Sequence, residues 1–308
     1  MQARHRLTGL RHNLKGASTN EAPSEPITVV IIPDETTWWF HSTFDTDNND
    51  TADPDSFIFK IGRDDQPNNP TSNRRRAAMY INLPEQIDSK VGSFRMPDDS
   101  SLVLSAVLEL VVFDRQGTTP IDSNGGDPEP TTYDAMEMRI VKNRKGTTGS
   151  SMVDNVGSGV MDWFNAGTPV ANKWSTPGPG SLTNDIDVSI GVTFDIAGHP
   201  VPLVEPIKPP DQAIYDVMSI DMTSTIQTAF ETANFGSPSA ATGGGSTAAS
   251  YIMYMNGEFN SASNSADGTD GENGMWFFSE KSSNASWNSP GGAIDVRPKL
   301  TIKYINYA

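Results

Sequence analysis

The sequence predicts an all-β protein: a jelly-roll-like β-sandwich with long loops and one short helix, preceded by an extended N-terminal arm. Short runs rich in Val, Ile, Phe, Tyr and Trp recur along the chain. Several of them alternate apolar with polar residues, as strands with one buried face do. Among the 308 residues, 26 Gly and 22 Pro divide these runs with turn-rich loops. About ten strands with long loops and little helix fit a jelly roll.

Each predicted strand rests on its residue pattern. The first is a continuous β-branched run, which is typical of a buried strand. The last places Leu300, Ile302 and Tyr304 on one face, with lysine and threonine on the other. Pro-rich residues 197–210 are unsuited to a central strand. The predicted strands are residues 27–32, 36–44, 57–61, 77–83, 102–113, 136–141, 186–196, 251–255, 275–281 and 297–304.

One segment, residues 223–233, has the pattern of a helix. Thr223 or Ser224 would cap its first turn, because a hydroxyl can accept a hydrogen bond from a backbone N–H there. Four apolar residues then follow at helical spacing and would face the core. They are Ile226, Ala229, Phe230 and Ala233.

The charge pattern divides the chain into a basic arm with its linker, residues 1–26, and a single sandwich domain, residues 27–308. The net charge is −16, yet residues 1–16 hold Arg4, Arg6, Arg11 and Lys15 and no acid. A polar terminal arm is ordinarily a solvated tail. An arm this polar buries too little of its own surface to order itself, so we favour its being held by another chain or by an acidic patch of a neighbour.

Composition also excludes several classes of function. A strongly acidic surface repels nucleic acid and anionic membranes, so neither is predicted as a partner. No apolar run approaches the roughly 20 residues of a membrane span, and the N-terminus lacks the apolar segment of a signal peptide. The chain has no Cys. This fits synthesis in a reducing cytosol and excludes thiol catalysis and cysteine zinc sites.

Enzymatic activity is not predicted. The four histidines stand in no recognisable nucleophile or metal motif, and Gly157-Ser-Gly159 lacks the full Gly-x-Ser-x-Gly pattern of a nucleophile elbow. Carboxylates are numerous, but a catalytic pair cannot be picked from an acidic surface by sequence. The histidines are His5, His12, His41 and His199.

Four segments, in order, resemble one known family. They are Ile61-Gly62 with the Arg-led residues 76–84, the apolar strand 104–112, residues 163–168 with Trp174-Ser-Thr-Pro-Gly, and residues 215–226 with the closing segments 277–280 and 297–304. Together they are similar to the DNRLRE domain, a jelly-roll β-sandwich catalogued beside carbohydrate-binding modules. Phe164 stands where the family has Asn, and residues 197–210 and 236–249 look like extra loops.

This resemblance implies a binding or structural role and no catalysis. The family occurs in secreted polysaccharide-degrading proteins and as stand-alone proteins of tailed phages. Because this chain carries no attached enzyme and no signal segment, the phage setting is favoured. We therefore expect a virion structural protein made in the host cytoplasm, most simply a capsid decoration or cement protein. Its expected partners are the major capsid protein or another virion protein, and sister copies in a homo-oligomer.

The alternative is a carbohydrate-binding adhesin or fibre component that contacts host-surface glycans. Exposed aromatic rings would stack on the sugar, and Trp39 and Trp287 are the candidate residues. Trp38 and Trp39 point to opposite faces if both lie on a strand, so only one of them is expected to face outward. Trp287 could instead anchor a protein interface. For Trp163 and Trp174 we favour packing of a loop against the sandwich edge.

The acidic loop 45–55 is a candidate calcium site, with Asp45, Asp47 and Asp50 as ligands. Calcium takes six to eight oxygens, and the loop begins like an EF-hand, Asp-x-Asp-x-Asn. Asp50 stands where that motif has Gly, and Ser56 stands where it has Glu, so a solvated acidic loop is the favoured interpretation. No other cofactor is predicted.

The run Arg74-Arg75-Arg76 is conspicuous in an acidic chain. Arg76 is expected to enter the following strand, with Arg74 and Arg75 exposed. Simple solvation is one interpretation, and pairing with an acidic neighbour is the other.

Overall fold

The structure, a computed structural model, describes residues 25–41, 58–63, 74–92, 97, 101–116, 137–144, 174–175, 181, 184–195, 217–232, 249–255, 274–283 and 295–306. Over these ranges the chain is all-β with a sandwich-like, jelly-roll character, as the sequence predicts. Eleven antiparallel strands form one curled sheet, accompanied by two short α-helices and one 3-10 turn.

The element bounds follow the predicted strands to within a few residues, with two additions, α1 and β8, and one correction: predicted strand 275–281 ends at Phe278, and Glu280 and Lys281 lie in the 3-10 turn. The strands are β1 Ile27–Ile31, β2 Glu35–His41, β3 Ile58–Arg63, β4 Arg74–Ile81, β5 Leu102–Gln116, β6 Glu137–Asn143, β7 Ile186–Asp195, β8 Val217–Asp221, β9 Ala249–Met255, β10 Gly274–Phe278 and β11 Lys299–Ile305. The helices are α1 Leu83–Val91 and α2 Thr223–Thr232, and the 3-10 turn is Glu280–Ser283.

Strand β5 joins the two halves of the sheet. Its first part pairs with β11 on one side and β8 on the other, and β1 lies beyond β11. Its last residues pair with β10, which leads through β3 to β4, β9, β6 and β7. We call β1, β11, β5 and β8 the front sheet and the remaining strands the back sheet. The 15-residue length of β5 lets one strand serve both halves.

The core fills the space between the two sheets. On β11, Leu300, Ile302 and Tyr304 are buried while Lys303 is exposed, which confirms the predicted alternation of the closing strand. The ring of Tyr304 meets Phe230 of α2 edge-on, with centroids 5.5 Å apart. Helix α2 is therefore held against the core by its apolar face, as its spacing predicts.

Helix α2 also completes the hydrogen bonding of β5 where β8 ends. The Met222 N–H donates to the Ala106 carbonyl, and the Ala106 N–H donates to the Thr223 hydroxyl at 3.0 Å. Further along, the Gln227 side chain accepts from the Val103 N–H at 2.7 Å and donates to the Ser101 carbonyl at 3.3 Å. Side chains of α2 therefore form hydrogen bonds with backbone groups of β5 beyond the end of β8. Without such partners, the edge of a strand exposes unpaired backbone groups.

Replacing Gln227 by methionine is expected to lower the free energy of unfolding by about 1–3 kcal/mol. The volume of the side chain is kept, but the Val103 N–H and Ser101 carbonyl lose their partner in a part-buried position. Urea unfolding followed by circular dichroism measures the loss. Ser224→Ala, on the exposed side of the same helix, is the control and should stay within about 0.5 kcal/mol. A Gln227→Met loss no larger than that of the control would contradict this role.

Helix α1 is an element that the sequence analysis missed. Predicted strand 77–83 ends at Ile81, and the chain turns into a helix whose buried residues are Leu83 and Ile87. The Asn82 side chain caps the first turn by accepting from the Glu85 N–H. Asp34 accepts from the Asn82 backbone N–H and the Gln86 side chain, which ties the helix to the segment after β1.

Candidate functional site

Most of the predicted site residues lie outside the described ranges. This is so for the arm residues Arg4, Arg6, Arg11 and Lys15, for Trp287, and for the calcium candidates Asp45, Asp47 and Asp50. The backbone of Trp39 lies on β2, directly opposite Arg76 of β4. These assignments remain predictions.

Trp174 is buried, with 5% of its surface exposed. It packs on the outer face of the back sheet in a cluster with Ala78, Val141, Ile252 and Tyr254. Trp174 therefore packs against the sandwich as expected, although on an outer face and not at the edge, and Trp163 lies outside the described residues. The ring therefore offers no platform to a sugar.

A buried carboxylate fixes the segment around Trp174. Asp185 accepts from the Ser175 N–H at 2.7 Å and from the Ser181 N–H at 3.0 Å, just before β7 begins. Because the acceptor is a buried carboxylate, these hydrogen bonds stabilise the backbone at Ser175 and Ser181. The arrangement is structural: it anchors backbone, and the bonds to both carboxylate oxygens come from the protein itself.

The side chain of Arg297, in the closing segment, binds a residue close to it in sequence. The guanidinium of Arg297 binds Asp295, with Nε 2.8 Å from Oδ1 and a second nitrogen 3.1 Å from Oδ2. The hydrogen bond from Arg297 lowers the pKa of Asp295, and the same bond raises the pKa of Arg297. Lys299 lies 3.5 Å from the same carboxylate. These contacts shape the turn into β11.

The outer face of the front sheet carries exposed aliphatic side chains. Val30 of β1 and Leu102 and Leu104 of β5 are 48%, 41% and 40% exposed. The β5–β11 register shifts between Lys303 and Tyr304, which leaves Leu104 as the extra residue of a bulge. We call Val30, Leu102 and Leu104 the front patch. Leu102 and Leu104 lie near the row in which Ile27, the first residue of β1, pairs with Tyr304, and Val30 lies three residues further along β1.

A second surface combines positive charge with aromatic rings. Lys60 of β3 lies opposite Trp276 of β10, and its Nζ is 3.7 Å from the centroid of the indole. The guanidinium carbon of Arg75 is 5.8 Å from the same centroid. Phe113 of β5 lies parallel to the indole at 6.4 Å. We call Lys60, Arg75, Trp276 and Phe113 the cation–aromatic cluster.

The prediction that Arg75 is an exposed residue is wrong. Strand β4 begins at Arg74, before the predicted start, so all three arginines of the run lie in the sheet. Arg76 lies in the strand as expected and is buried, and Arg75 is partly buried. Loss of hydration on burial lowers the pKa of Arg75 to about 10. The cluster itself was not foreseen, because its members come from strands that are far apart in sequence.

Within the described ranges, no group of three or more His, Cys, Asp or Glu side chains is placed to hold a metal ion. Neither of the two helices described above has the length and apolar character needed to span a membrane. Comparison with protein-family models and with the curated proteins found no match for this chain.

Proposed function

We propose that this chain is a non-enzymatic structural protein of a tailed-phage virion, a decoration or cement protein that attaches through its N-terminal arm. The observation that carries the proposal is the place where the arm meets the fold. The arm leads into β1, the outermost strand of the front sheet, beside the exposed front patch. The ordered resemblance of four segments to the DNRLRE domain agrees with a binding or structural role.

The charges of arm and body suit them to different tasks. The body carries nearly all of the 38 acidic residues, which keeps free copies soluble and apart. The arm carries positive charge only, and an acidic patch on an assembled particle would attract it. Attraction between exposed charges weakens over a Debye length of about 8 Å at physiological ionic strength, so firm attachment needs apolar contact as well. The front patch supplies three aliphatic side chains for it.

Removing residues 1–20 is expected to abolish attachment to particles while leaving the body folded. Particles assembled without this protein are mixed with the full or the shortened chain and sedimented, and the bound protein is measured. Thermal unfolding of the two chains should agree, because the body's described strands begin only at Ile27. Full decoration by the shortened chain would contradict the proposal.

Two further variants separate the arm's charge from the front patch. Replacing Arg4, Arg6, Arg11 and Lys15 by glutamine should weaken attachment and remove most of its salt dependence. Leu102→Ser with Leu104→Ser should weaken attachment and preserve the salt dependence, because it removes apolar contact only. Both side chains are already about two-fifths exposed, so the fold should tolerate the change.

The glycan-binding alternative has no supporting observation among the described residues, since Trp174 is buried. It depends on Trp39 and Trp287. Saturable binding to a host glycan that is lost on Trp39→Ala or Trp287→Ala would favour this alternative over attachment to a particle alone.

A further inference from the structure

We propose that β1 pairs with β1 of a second copy of this chain, so that the front sheets of two copies join into one continuous sheet. This contact goes beyond the attachment proposed above, because it needs neither the arm nor a particle. Within the described ranges, Ile27–Ile31 pairs with β11 alone and forms no backbone hydrogen bond with another segment. In an antiparallel strand, the N–H and C=O groups of alternate residues point to opposite edges, so the second edge of β1 presents unpaired donors and acceptors.

The two edges of the front sheet are closed differently. Beyond the end of β8, side chains of α2 form hydrogen bonds with the backbone of β5, and β8 itself ends on the charged residue Asp221. Charged residues, bulges, prolines and covering helices are the usual protection of a sheet edge. Helix α1 packs Leu83 and Ile87 into the core cluster that contains the inner face of β1, and it forms no backbone hydrogen bond with that strand. The five residues of β1 include no charge and no proline, and their register with β11 has no bulge, so this edge is suited to accept another strand.

The sequence of β1 is suited to pairing with itself. All five of its residues are β-branched, the residue type that favours strands. With a two-fold axis at Val29, Ile27 lies opposite Ile31 of the second copy, and both are buried residues. Thr28 then lies opposite Val30 of the second copy, and both are exposed residues. A slip of one residue would set buried residues opposite exposed ones, so the pattern of burial selects this register.

The charges of the chain permit this contact and give it a distinctive salt dependence. Lys303 of β11 lies opposite Thr28, so the two copies of β1 separate it from the β11 of the second copy. Three strand spacings amount to roughly 14 Å, which exceeds the Debye length of about 8 Å at physiological ionic strength. The net charge of −16 on each copy opposes association, and salt screens this repulsion. Pairing should therefore strengthen as salt rises, whereas attachment through a basic arm should weaken.

The back sheet ends on the same side of the sandwich. Within the described ranges, β2 pairs with β4 alone, so it is an outermost strand as well. The chain passes from Ile31 to Glu35 in four residue steps, which span at most roughly 14 Å, and stacked sheets lie about 10 Å apart. A partner that approaches β1 therefore also meets β2, and the contact is two layers deep.

Pairing also brings the front patches of two copies together. Val30 is exposed on the outer face, and the two-fold axis sets the Val30 side chains of both copies on the same face, diagonal to each other. The pair therefore presents one larger aliphatic surface and two arms. A second point of attachment keeps a protein bound when the first releases, so pairing would raise the occupancy of a particle.

Sedimentation velocity of the full chain over a wide concentration range tests the proposal. We expect a dimer whose dissociation constant falls as salt rises from about 0.05 M to about 0.5 M. Val30→Lys should raise the dissociation constant at least about tenfold, because a lysine at a sheet edge opposes strand pairing. Val217→Lys is the matched control, since it makes the same change at the opposite edge of the same sheet, where exposure is 42% against 48% for Val30. Its dissociation constant should stay within about twofold of the parent value.

A disulfide can report the register, because the chain has no Cys. Opposite residues of an antiparallel pair have Cα atoms about 4.5–5.5 Å apart, which a disulfide can bridge. Thr28→Cys chains mixed with Val30→Cys chains should therefore form linked dimers faster than either variant alone. This measurement remains decisive if Val30→Lys folds poorly, which thermal unfolding would reveal.

Three results would overturn the proposal. The first is a full chain that stays monomeric at high salt and high concentration. The second is an equal effect of Val30→Lys and Val217→Lys on the dissociation constant. The third is loss of the dimer when residues 1–20 are removed, because the arm and not β1 would then make the contact. None of these measurements involves a particle, so their failure is separate from a failure of the attachment proposed above.

Discussion

Replacing Phe277 by alanine is expected to lower the free energy of unfolding by about 3–5 kcal/mol, the usual loss when a buried phenylalanine is truncated. Phe277 is completely buried in β10, the strand of the back sheet that pairs with β5. Its ring stacks on Phe59 of β3 at 5.2 Å. Truncation removes this contact and leaves a cavity that strands paired on both sides cannot close.

Urea unfolding followed by circular dichroism measures this loss. The midpoint should fall while the slope is unchanged, because the surface exposed on unfolding is nearly the same in both chains. Phe277→Leu should cost much less, since most of the volume is kept. Val30→Ala, at a position 48% exposed, should change stability by no more than about 0.5 kcal/mol. A Phe277→Ala midpoint equal to that of Val30→Ala would contradict the central place of β10.

The strands were predictable because a strand with one buried face has alternating apolar and polar residues in its sequence. In β11, every second residue is buried, and the sequence shows this as apolar residues between lysines and threonines. In β5, a long apolar run predicted residues 102–113, and the strand extends three residues further to pair with β10. An apolar run of this kind predicts that a strand is present, but it does not predict where the strand ends. The ends depend on pairing with strands from distant parts of the chain.

Helix α1 was missed although its signals are present. Asn82, Pro84 and Glu85 form a capping sequence, and Leu83 and Ile87 have helical spacing. The alternating pattern of the predicted strand continues to Leu83, so these helix signals were not recognised. Strand β8 was missed for a different reason: it has only five residues, and the exposed Val217 obscures the alternation of buried Met218 and Ile220 with exposed Ser219 and Asp221.

The cation–aromatic cluster could not have been found from local pattern. Lys60, Arg75 and Trp276 belong to β3, β4 and β10, and only the sheet order brings them together. The arginine run drew attention to Arg75, but a polar loop before it suggested exposure. Whether an arginine at a strand end is solvated or lies over an indole depends on a strand two hundred residues away. Local sequence does not hold that information.

The second large effect is expected at Gly191, where β7 pairs with Val141 of β6. A Cβ built there would lie 2.4 Å from the Ile140 carbonyl oxygen and 2.9 Å from the Val141 Cα. Both are backbone atoms, so the clash is relieved only by moving the strands apart. Gly191→Ala is therefore expected to lower the free energy of unfolding by about 3 kcal/mol, the upper part of the range for overpacking.

Gly92→Ala is the matched control. It makes the same change of residue, but it lowers stability through backbone conformation and not through a steric clash. Gly92 follows α1 with φ +72°, and a Cβ there would meet no atom within 4 Å. With ψ 162°, this conformation lies in a region that is essentially confined to glycine, so the expected cost is about 2 kcal/mol of backbone strain. Both substitutions restrict the unfolded chain to the same degree, so their difference in urea midpoint compares the steric contact between β6 and β7 with the backbone strain at Gly92. If Gly191→Ala proves no less stable than Gly92→Ala, β7 does not approach β6 as closely as the structure places it.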